Sequence, residues 1–323
     1  MKVLLGVDGS ASSDRAASLV ANLAWPIGST IEVVTAYPGS AAIFSMPGMV
    51  MAADVIQETE DAMEGEARRI VTEVARRFAA AALTIETQVL RERASTALLD
   101  EGSRLQADLI VLGNRGRGPF ESAVLGSVSA EVVDHSHRPV LVARRDHIRR
   151  ILLGEDGSKS AAAAAATVRR WAVLHGARIK VLSVADIDPQ WNPWLMGAAL
   201  KEAHVAAATK LHKQHEELAR KTAASLKKAG LQTENEASDG NPAHRLVETA
   251  VNWDADLIVL GTHGRSGLGA LLVGSVARAV LYPRRVRSSL CPYPATDLRR
   301  RPRFSRRGPL RYQVIVSGLS RSG

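Results

Sequence analysis

The chain has 323 residues, which is enough for two domains of ordinary size. Its 46% hydrophobic and 23% charged residues exclude a wholly disordered or collagen-like chain, and its single cysteine excludes a disulfide framework and a multi-cysteine zinc site. Residues 282–323 carry a net charge of +10 and residues 1–281 carry −1. No stretch approaches the ~20 apolar residues of a membrane span, so we expect no membrane partner. The single cysteine suits a reducing cytoplasm, so we expect a cytoplasmic protein, and because the basic charge is confined to residues 282–323 we expect no specific nucleic-acid partner.

An internal repeat organises most of the chain. The segment Ala107-Asp-Leu-Ile-Val-Leu-Gly113 recurs as Ala255-Asp-Leu-Ile-Val-Leu-Gly261, and the two copies lie 148 residues apart. Self-similarity at a fixed spacing indicates a tandem duplication. We therefore predict two similar domains, at residues 1–146 and 147–282, followed by a disordered tail rich in arginine and proline at residues 283–323.

Each repeat alternates short apolar runs with amphipathic stretches, which predicts an α/β fold with a mainly parallel sheet. We expect each domain to form an open five-stranded sheet with helices on both faces. A long helix with a charged face is predicted at about residues 198–229. In chain order the predicted strands are Val3–Val7, Ile31–Ala36, Leu83–Leu90, Leu109–Leu112 and Val140–Val142, and then Ile151–Leu153, Ile179–Val184, Leu231–Glu236 and Leu257–Leu260.

The closing strand of the second repeat is in doubt. The spacing that matches the repeats aligns the strand Val140–Val142 with residues 288–290, where no continuous apolar run is present. The composition changes there to arginine, proline and serine, which is typical of disordered segments. Residues 312–316, Tyr-Gln-Val-Ile-Val, are one candidate for a substitute edge strand.

Both repeats place a glycine-spaced loop between a buried strand and a helix. In the first repeat Gly113 and Gly116 are followed, after nine residues, by Gly126-Ser127. The second repeat has the same spacing at Gly261, Gly264 and Gly274-Ser275. Glycines let the backbone approach a ligand closely, and a helix start offers free N–H groups to an anion. The pattern favours a phosphate-binding loop, and the alternative is a tight loop without a ligand.

These motifs, together with Asp8-Gly9-Ser10 and Asp156-Gly157-Ser158 after the first strands, resemble the universal stress protein family. The resemblance is to its tandem-domain form and its ATP-binding branch, whose signature is Gly, two residues, Gly, nine residues, Gly, and then Ser or Thr. It covers about residues 1–281. It implies two Rossmann-like domains of the adenine nucleotide alpha hydrolase type, with ATP as the ligand and magnesium carried on the phosphates.

The resemblance also implies a role for individual residues. The two aspartates would contact the base or the ribose, and two residues at the ends of second strands would touch adenine. The glycine loops and the starts of the following helices would hold the phosphates. An aspartate in this position also suits a strand-to-helix cap. The implied binding residues are Asp8, Ala36, Gly113, Gly116, Gly126, Ser127 and Val128 in the first domain, and Asp156, Val184, Gly261, Gly264, Gly274, Ser275 and Val276 in the second.

The leading hypothesis is an ATP-binding stress protein that acts as a nucleotide-responsive sensor or regulator. No nucleophile motif or metal-ligand spacing is evident, and we expect His204, His212 and His215 to be surface histidines. Two alternatives stay open. One is a slow nucleotide hydrolase or phosphotransferase on the same scaffold, and the other is a nucleotide-independent interaction module for a regulatory protein.

Members of the resembled family pair through the last strand of the domain. The two halves of a tandem chain can therefore dock on each other as a pseudo-dimer. Because the closing strand of the second half is in doubt here, we expect either impaired pairing within the chain or a homodimer through the edge at Val140–Val142.

Overall fold

The protein is described by a computed structural model that covers residues 1–39, 52–78, 83–116, 125–171, 176–187, 198–261, 273–282 and 313–317. The first unit contains β1 (Lys2–Gly6), α1 (Ala11–Asn22), β2 (Thr30–Tyr37), α2 (Ala53–Arg76), β3 (Thr84–Arg91), α3 (Ala94–Arg104), β4 (Leu109–Gly113), α4 (Ser127–His135) and β5 (Val140–Ala143). The second contains β6 (Arg150–Glu155), α5 (Lys159–Arg170), β7 (Arg178–Ala185), α6 (Ala198–Lys228), β8 (Gln232–Asp239), α7 (Pro242–Asn252), β9 (Leu257–Gly261), α8 (Ser275–Leu281) and β10 (Gln313–Ser317).

The predicted α/β architecture is confirmed, and all the predicted strands are present to within one to three residues at each end. The strand order is β3-β2-β1-β4-β5-β10-β9-β6-β7-β8, so the two five-stranded halves join into one ten-stranded sheet. All neighbours are parallel except β5 and β10, which pair antiparallel with Val142 opposite Val314. The parallel strands of the first unit therefore run in the opposite direction to those of the second, and their carboxyl ends lie on opposite sides of the sheet.

Strand β10 corrects the prediction for the C-terminus. Residues 313–317, which were assigned to a disordered tail, lie between β5 and β9, and Val314 and Ile315 are fully buried there. The substitute strand is therefore an internal one and not an edge. The edge of β5 that was expected to form a homodimer is paired with β10 of the same chain. Residues 283–312 and 318–323, the rest of the predicted tail, lie outside the described residues.

The apolar core covers both faces of the sheet. Successive residues of a strand point to opposite faces, so Leu5 and Val111 belong to one layer and Leu4 and Ile110 to the other. Each layer runs through both units, with Ile315 in the first and Val314 in the second. This explains why the central strands are apolar throughout. Within the described ranges, no helix is long and apolar enough to cross a membrane.

The linker between the units is held by Asp256, just before β9. Its Oδ2 accepts hydrogen bonds from the backbone N–H groups of Arg149 and Arg150 at 2.9 and 3.1 Å, and its Oδ1 contacts Arg145. In the first unit the corresponding Asp108 accepts the N–H of Lys2 at 3.0 Å. The repeated aspartate therefore fastens the first strand of each unit beside the strand that leads to the glycine loop.

Candidate functional site

The candidate site of the first unit begins with the turn after β1. Gly9 has a φ of 72°, which favours glycine, and Asp8 Oδ1 accepts the N–H of Ser10 at 3.0 Å. Ser10 is the N-cap of α1, and its Oγ accepts the N–H of Ser13 at 3.2 Å. The capping role that was open for Asp8 is therefore filled by Ser10, while Asp8 shapes the turn.

The glycine loop of the first unit lies directly against this turn. A Cβ atom on Gly113 would lie 2.7 Å from the backbone carbonyl carbon of Ser12, and one on Gly116 would lie 2.8 Å from Asp8 Oδ2. The N–H of Arg115 donates to Ser12 Oγ at 3.1 Å. Gly113 is thus required by its close approach to backbone, whereas a side chain at Gly116 would displace only the end of the Asp8 side chain, and the structure places Asp8, Gly113 and Gly116 next to one another.

The loop returns to the sheet at the start of α4. The N–H of Gly126 donates to the carbonyl of Asn114 at 2.8 Å, and Ser129 Oγ donates to the carbonyl of Gly113 at 2.7 Å. Gly126 is the N-cap of α4, and among the described residues, which omit 117–124, no side-chain hydrogen bond caps this helix, whereas Ser10 caps α1. The side chain of Ser127 is exposed and that of Val128 is half-buried. Within the described residues this helix start is uncapped, which suits the binding of an anion.

The expected adenine contact lies at the same edge of the sheet. The parallel register pairs Gly6 of β1 with Val34 of β2, and the N–H of Val7 donates to the carbonyl of Val34 at 2.9 Å. Ala36 and Asp8 both follow this pair, two residues further along their chains. The half-buried Ala36 therefore lies at the same end of the sheet as Asp8, and its contact with adenine stays a prediction.

The second unit repeats the turn after the first strand and the close approach at the end of the central strand. Asp156 Oδ1 accepts the N–H of Ser158 at 2.9 Å, and Ser158 Oγ caps α5 through the N–H of Ala161 at 3.1 Å. A Cβ atom on Gly261 would lie 2.6 Å from the carbonyl carbon of Ser160. Of the remaining predicted residues, Val184 is buried near the end of β7, and Gly274 is the N-cap of α8. Ser275 is exposed and Val276 is half-buried. Gly264 lies outside the described residues.

A buried polar cluster lies beside the turn of the second unit, and sequence reasoning missed it. Glu155 accepts the N–H of Gly157 and the hydroxyl of Thr222, both at 2.8 Å. Ser183 Oγ donates to the carbonyl of Glu155 at 2.7 Å and lies 2.8 Å from His215 Nδ1. The expectation that His215 is a surface residue is wrong, because it is 4% exposed. The signal available in the sequence was Glu155, which stands where the first repeat has Val7.

The comparison with protein families agrees with this geometry. The model of the universal stress protein family matches residues 1–144 and again residues 147–282. The chain belongs to the universal stress protein family. Membership in this family supports a role in the stress response, and the two matches show that the chain has two such domains.

Two curated universal stress proteins are similar along nearly their whole length. One from Mycolicibacterium smegmatis is 28% identical over 296 residues, which are 86% of this chain and 92% of that protein. One from Mycobacterium tuberculosis strain H37Rv is also 28% identical, over 88% of this chain and 94% of the relative. Among solved structures, a universal stress protein from Archaeoglobus fulgidus has a TM-score of 0.60 at 18% identity and covers 98% of both chains. This likeness supports the fold alone.

Proposed function

We propose that this universal stress protein binds ATP at the glycine loop of each unit and acts as a nucleotide-responsive regulator in the stress response. The observation that carries the proposal is the contact between Gly116 and the carboxylate of Asp8, next to the uncapped start of α4. This contact brings an acidic side chain, a glycine backbone and free helical N–H groups to one edge of the sheet. Nucleotides are bound at such edges in open α/β sheets.

The chemistry of the site sets the orientation of the nucleotide. The N–H groups at the start of α4 and the hydroxyl of Ser127 suit the phosphates, since the positive end of the helix dipole favours an anion. A carboxylate would repel the phosphates, so Asp8 belongs on the side of the ribose or the base, next to Ala36. Magnesium would enter on the phosphates of the ATP.

The proposal is tested by purifying the chain without added nucleotide, denaturing it and identifying the released molecule by mass-resolved chromatography. We expect ATP from the wild-type protein and none from the double variant Gly126→Val/Gly274→Val. Gly65→Val is the matched control, because Gly65 is exposed on α2 and a Cβ atom there would meet nothing within 4 Å. This control should release as much ATP as the wild type.

A second measurement covers the case in which ATP is lost during purification. Added ATP should raise the melting temperature of the wild type and of Gly65→Val, because a ligand that binds the folded state alone stabilises it. The double variant should show no such rise while keeping its circular dichroism spectrum. An empty wild-type protein whose melting temperature does not respond to ATP would overturn the proposal.

A further inference from the structure

Two buried carboxyl groups meet on the α3 side of the first unit, away from the glycine loop. Glu32 is the third residue of β2 and is 1% exposed, and Glu101 lies in the last turn of α3 and is 5% exposed. A hydrogen bond between their side chains is among the causes that shift both pKa values. A bond between two carboxyl groups needs a proton, because two carboxylates have acceptors and no donor.

Arg104, at the end of α3, supplies one positive charge for this pair. Its Nε donates to Glu101 Oε1 at 2.7 Å, and one of its terminal nitrogens lies 3.4 Å from Glu32 Oε2. One guanidinium can balance one carboxylate, so the pair is electrically satisfied when it holds a single proton. The other charged group that acts on Glu32 is Glu86 on β3, directly opposite in the sheet register and exposed.

The pKa values follow this arrangement. Burial is the largest of the effects that together raise the pKa of Glu32 to about 7; the hydrogen bond to Glu101 and the charges of Glu101 and Glu86 also raise it, and the charge of Arg104 opposes them. Burial acts to raise the pKa of Glu101 as well, but the hydrogen bonds from Arg104 and Glu32 bring it below the usual value. These causes favour the protonated form of Glu32 and the charged form of Glu101.

The second unit has different side chains at the equivalent positions. The spacing of 148 residues aligns Glu32 with Lys180, Glu101 with Thr249 and Arg104 with Asn252. Lys180 Nζ lies 2.8 Å from Glu236 Oε2 on β8 and 5.4 Å from the ring centroid of Trp253. This contact joins ordinary opposite charges and needs no shared proton near neutral pH.

We propose that Glu32, Glu101 and Arg104 form a proton-dependent clamp that fastens the end of α3 to the sheet of the first unit. With the proton in place, Glu32 donates to Glu101 and Arg104 balances the remaining charge. Without it, two buried carboxylates share one guanidinium, and α3 is released more readily. Arg93, the N-cap residue of α3, forms a salt bridge of 2.9 Å with Glu131 of α4. Helix α3 therefore connects the clamp to the helix that begins at the glycine loop.

The pH dependence of the opening of α3 follows from the difference between the folded-state and unfolded-state pKa values of Glu32. The folded-state pKa of Glu32 is about 7 against the usual 4.5, so the contribution of Glu32 is fully present below about pH 4.5 and is lost as the pH rises through about 7. Glu101 works in the opposite sense, but its contribution changes little above pH 5.5. From pH 5.5 to 7.5 the equilibrium constant for opening α3 should rise about 20-fold.

The experiment is native-state hydrogen exchange on the full-length chain at pH 5.5 and 7.5, corrected for the intrinsic pH dependence of exchange. We expect the amides of α3 to lose about 20-fold in protection. The equivalent helix α7 of the second unit is the internal control and should not change. An unchanged α3, or an equal loss in α3 and α7, would overturn the proposal.

Two variants assign the effect to the proton. Glu32→Gln replaces the protonated acid by an amide that still donates to Glu101, so α3 should stay protected at both pH values. Glu86→Gln removes an equal charge from the neighbouring strand and should keep most of the pH dependence. A Glu32→Gln protein with the pH dependence of the wild type would also refute the clamp. The wild-type measurement stands alone if this variant folds poorly.

Discussion

The two units share one framework and differ in what fills its interior. Gly113 and Gly261 both end a central strand against the start of a helix, at a distance that no side chain could accommodate. Next to these invariant contacts, the first unit is apolar where the second is polar. Val7, Ala67 and Val74 are buried in the first unit, and the spacing of the repeats aligns them with Glu155, His215 and Thr222.

The difference shows which parts of the fold tolerate change. A backbone contact at 2.6 or 2.7 Å from an added Cβ admits glycine alone, so both copies keep it. A buried side chain can be apolar or polar, provided that a polar one finds its partners. Glu155 meets this condition through Gly157 and Thr222, and Lys180 meets it through Glu236.

The largest difference is the closing strand. In the first unit β5 follows α4 after four residues, 136–139, whereas in the second β10 follows α8 after residues 282–312. Both strands nevertheless meet at the centre of the sheet. The strand furthest along the chain therefore joins the two units.

Truncation of the chain after residue 282, which removes β10, should cause the largest loss of stability. The truncated chain loses Val314 and Ile315, whose burial alone contributes roughly 3–6 kcal/mol, and it leaves one side of β5 and one side of β9 unpaired. We expect the second unit to unfold at a much lower temperature, as followed by thermal denaturation and by hydrogen exchange in β9.

Two controls separate the strand from the residues around it. A chain that ends at residue 317 should melt like the wild type. Ile315→Asp in the full-length chain should reproduce most of the loss, because it buries a charge without a partner. If the chain that ends at residue 282 melts like the wild type, β10 does not hold the units together.

Replacing a residue of the polar cluster in the second unit by its apolar counterpart from the first unit should cause a smaller loss of stability. Glu155→Val leaves the N–H of Gly157 and the hydroxyl of Thr222 without their acceptor, at a cost of about 1–3 kcal/mol. Adding Thr222→Val, which gives the residue pair of the first unit, should recover part of this free energy. Urea denaturation of both variants measures it.

The reverse exchange is the matched test. Val7→Glu places a carboxyl group in the apolar layer of the first unit and should cost more than Glu155→Val. Adding Val74→Thr supplies the hydroxyl partner and should lower that cost. Equal costs for the two single changes would mean that the surroundings of the two positions do not differ as the structure indicates.

The smallest expected effect concerns Lys180. Lys180→Met keeps most of the apolar stem and removes the contacts with Glu236 and Trp253, so we expect a loss of about 1 kcal/mol that shrinks at high salt. Denaturation at low and high ionic strength checks this. A loss that does not depend on salt would assign the effect to packing.

Much of the candidate site could be predicted because its signals are local. The Asp-Gly-Ser turns, the glycine spacing and the helix starts each depend on a few neighbouring residues, and the structure brings Asp8, Gly113 and Gly116 together as expected. The cluster around Glu155 could not be predicted in the same way. Its partners Thr222 and His215 lie on α6, and a helical period does not show which turn of α6 faces the end of β6.

The sequence by itself determined the duplication, the strands and the alternation of strands with helices, because these follow from repeated motifs and from the period of apolar residues. The tertiary structure decided the rest. It selected β10 as a central strand, since the edges of β5 and β9 both offered unpaired backbone groups to a short apolar run. It also brought Glu32 to Glu101 across residues distant in the chain, where burial and the hydrogen bonds of the pair with Arg104 shift their pKa values.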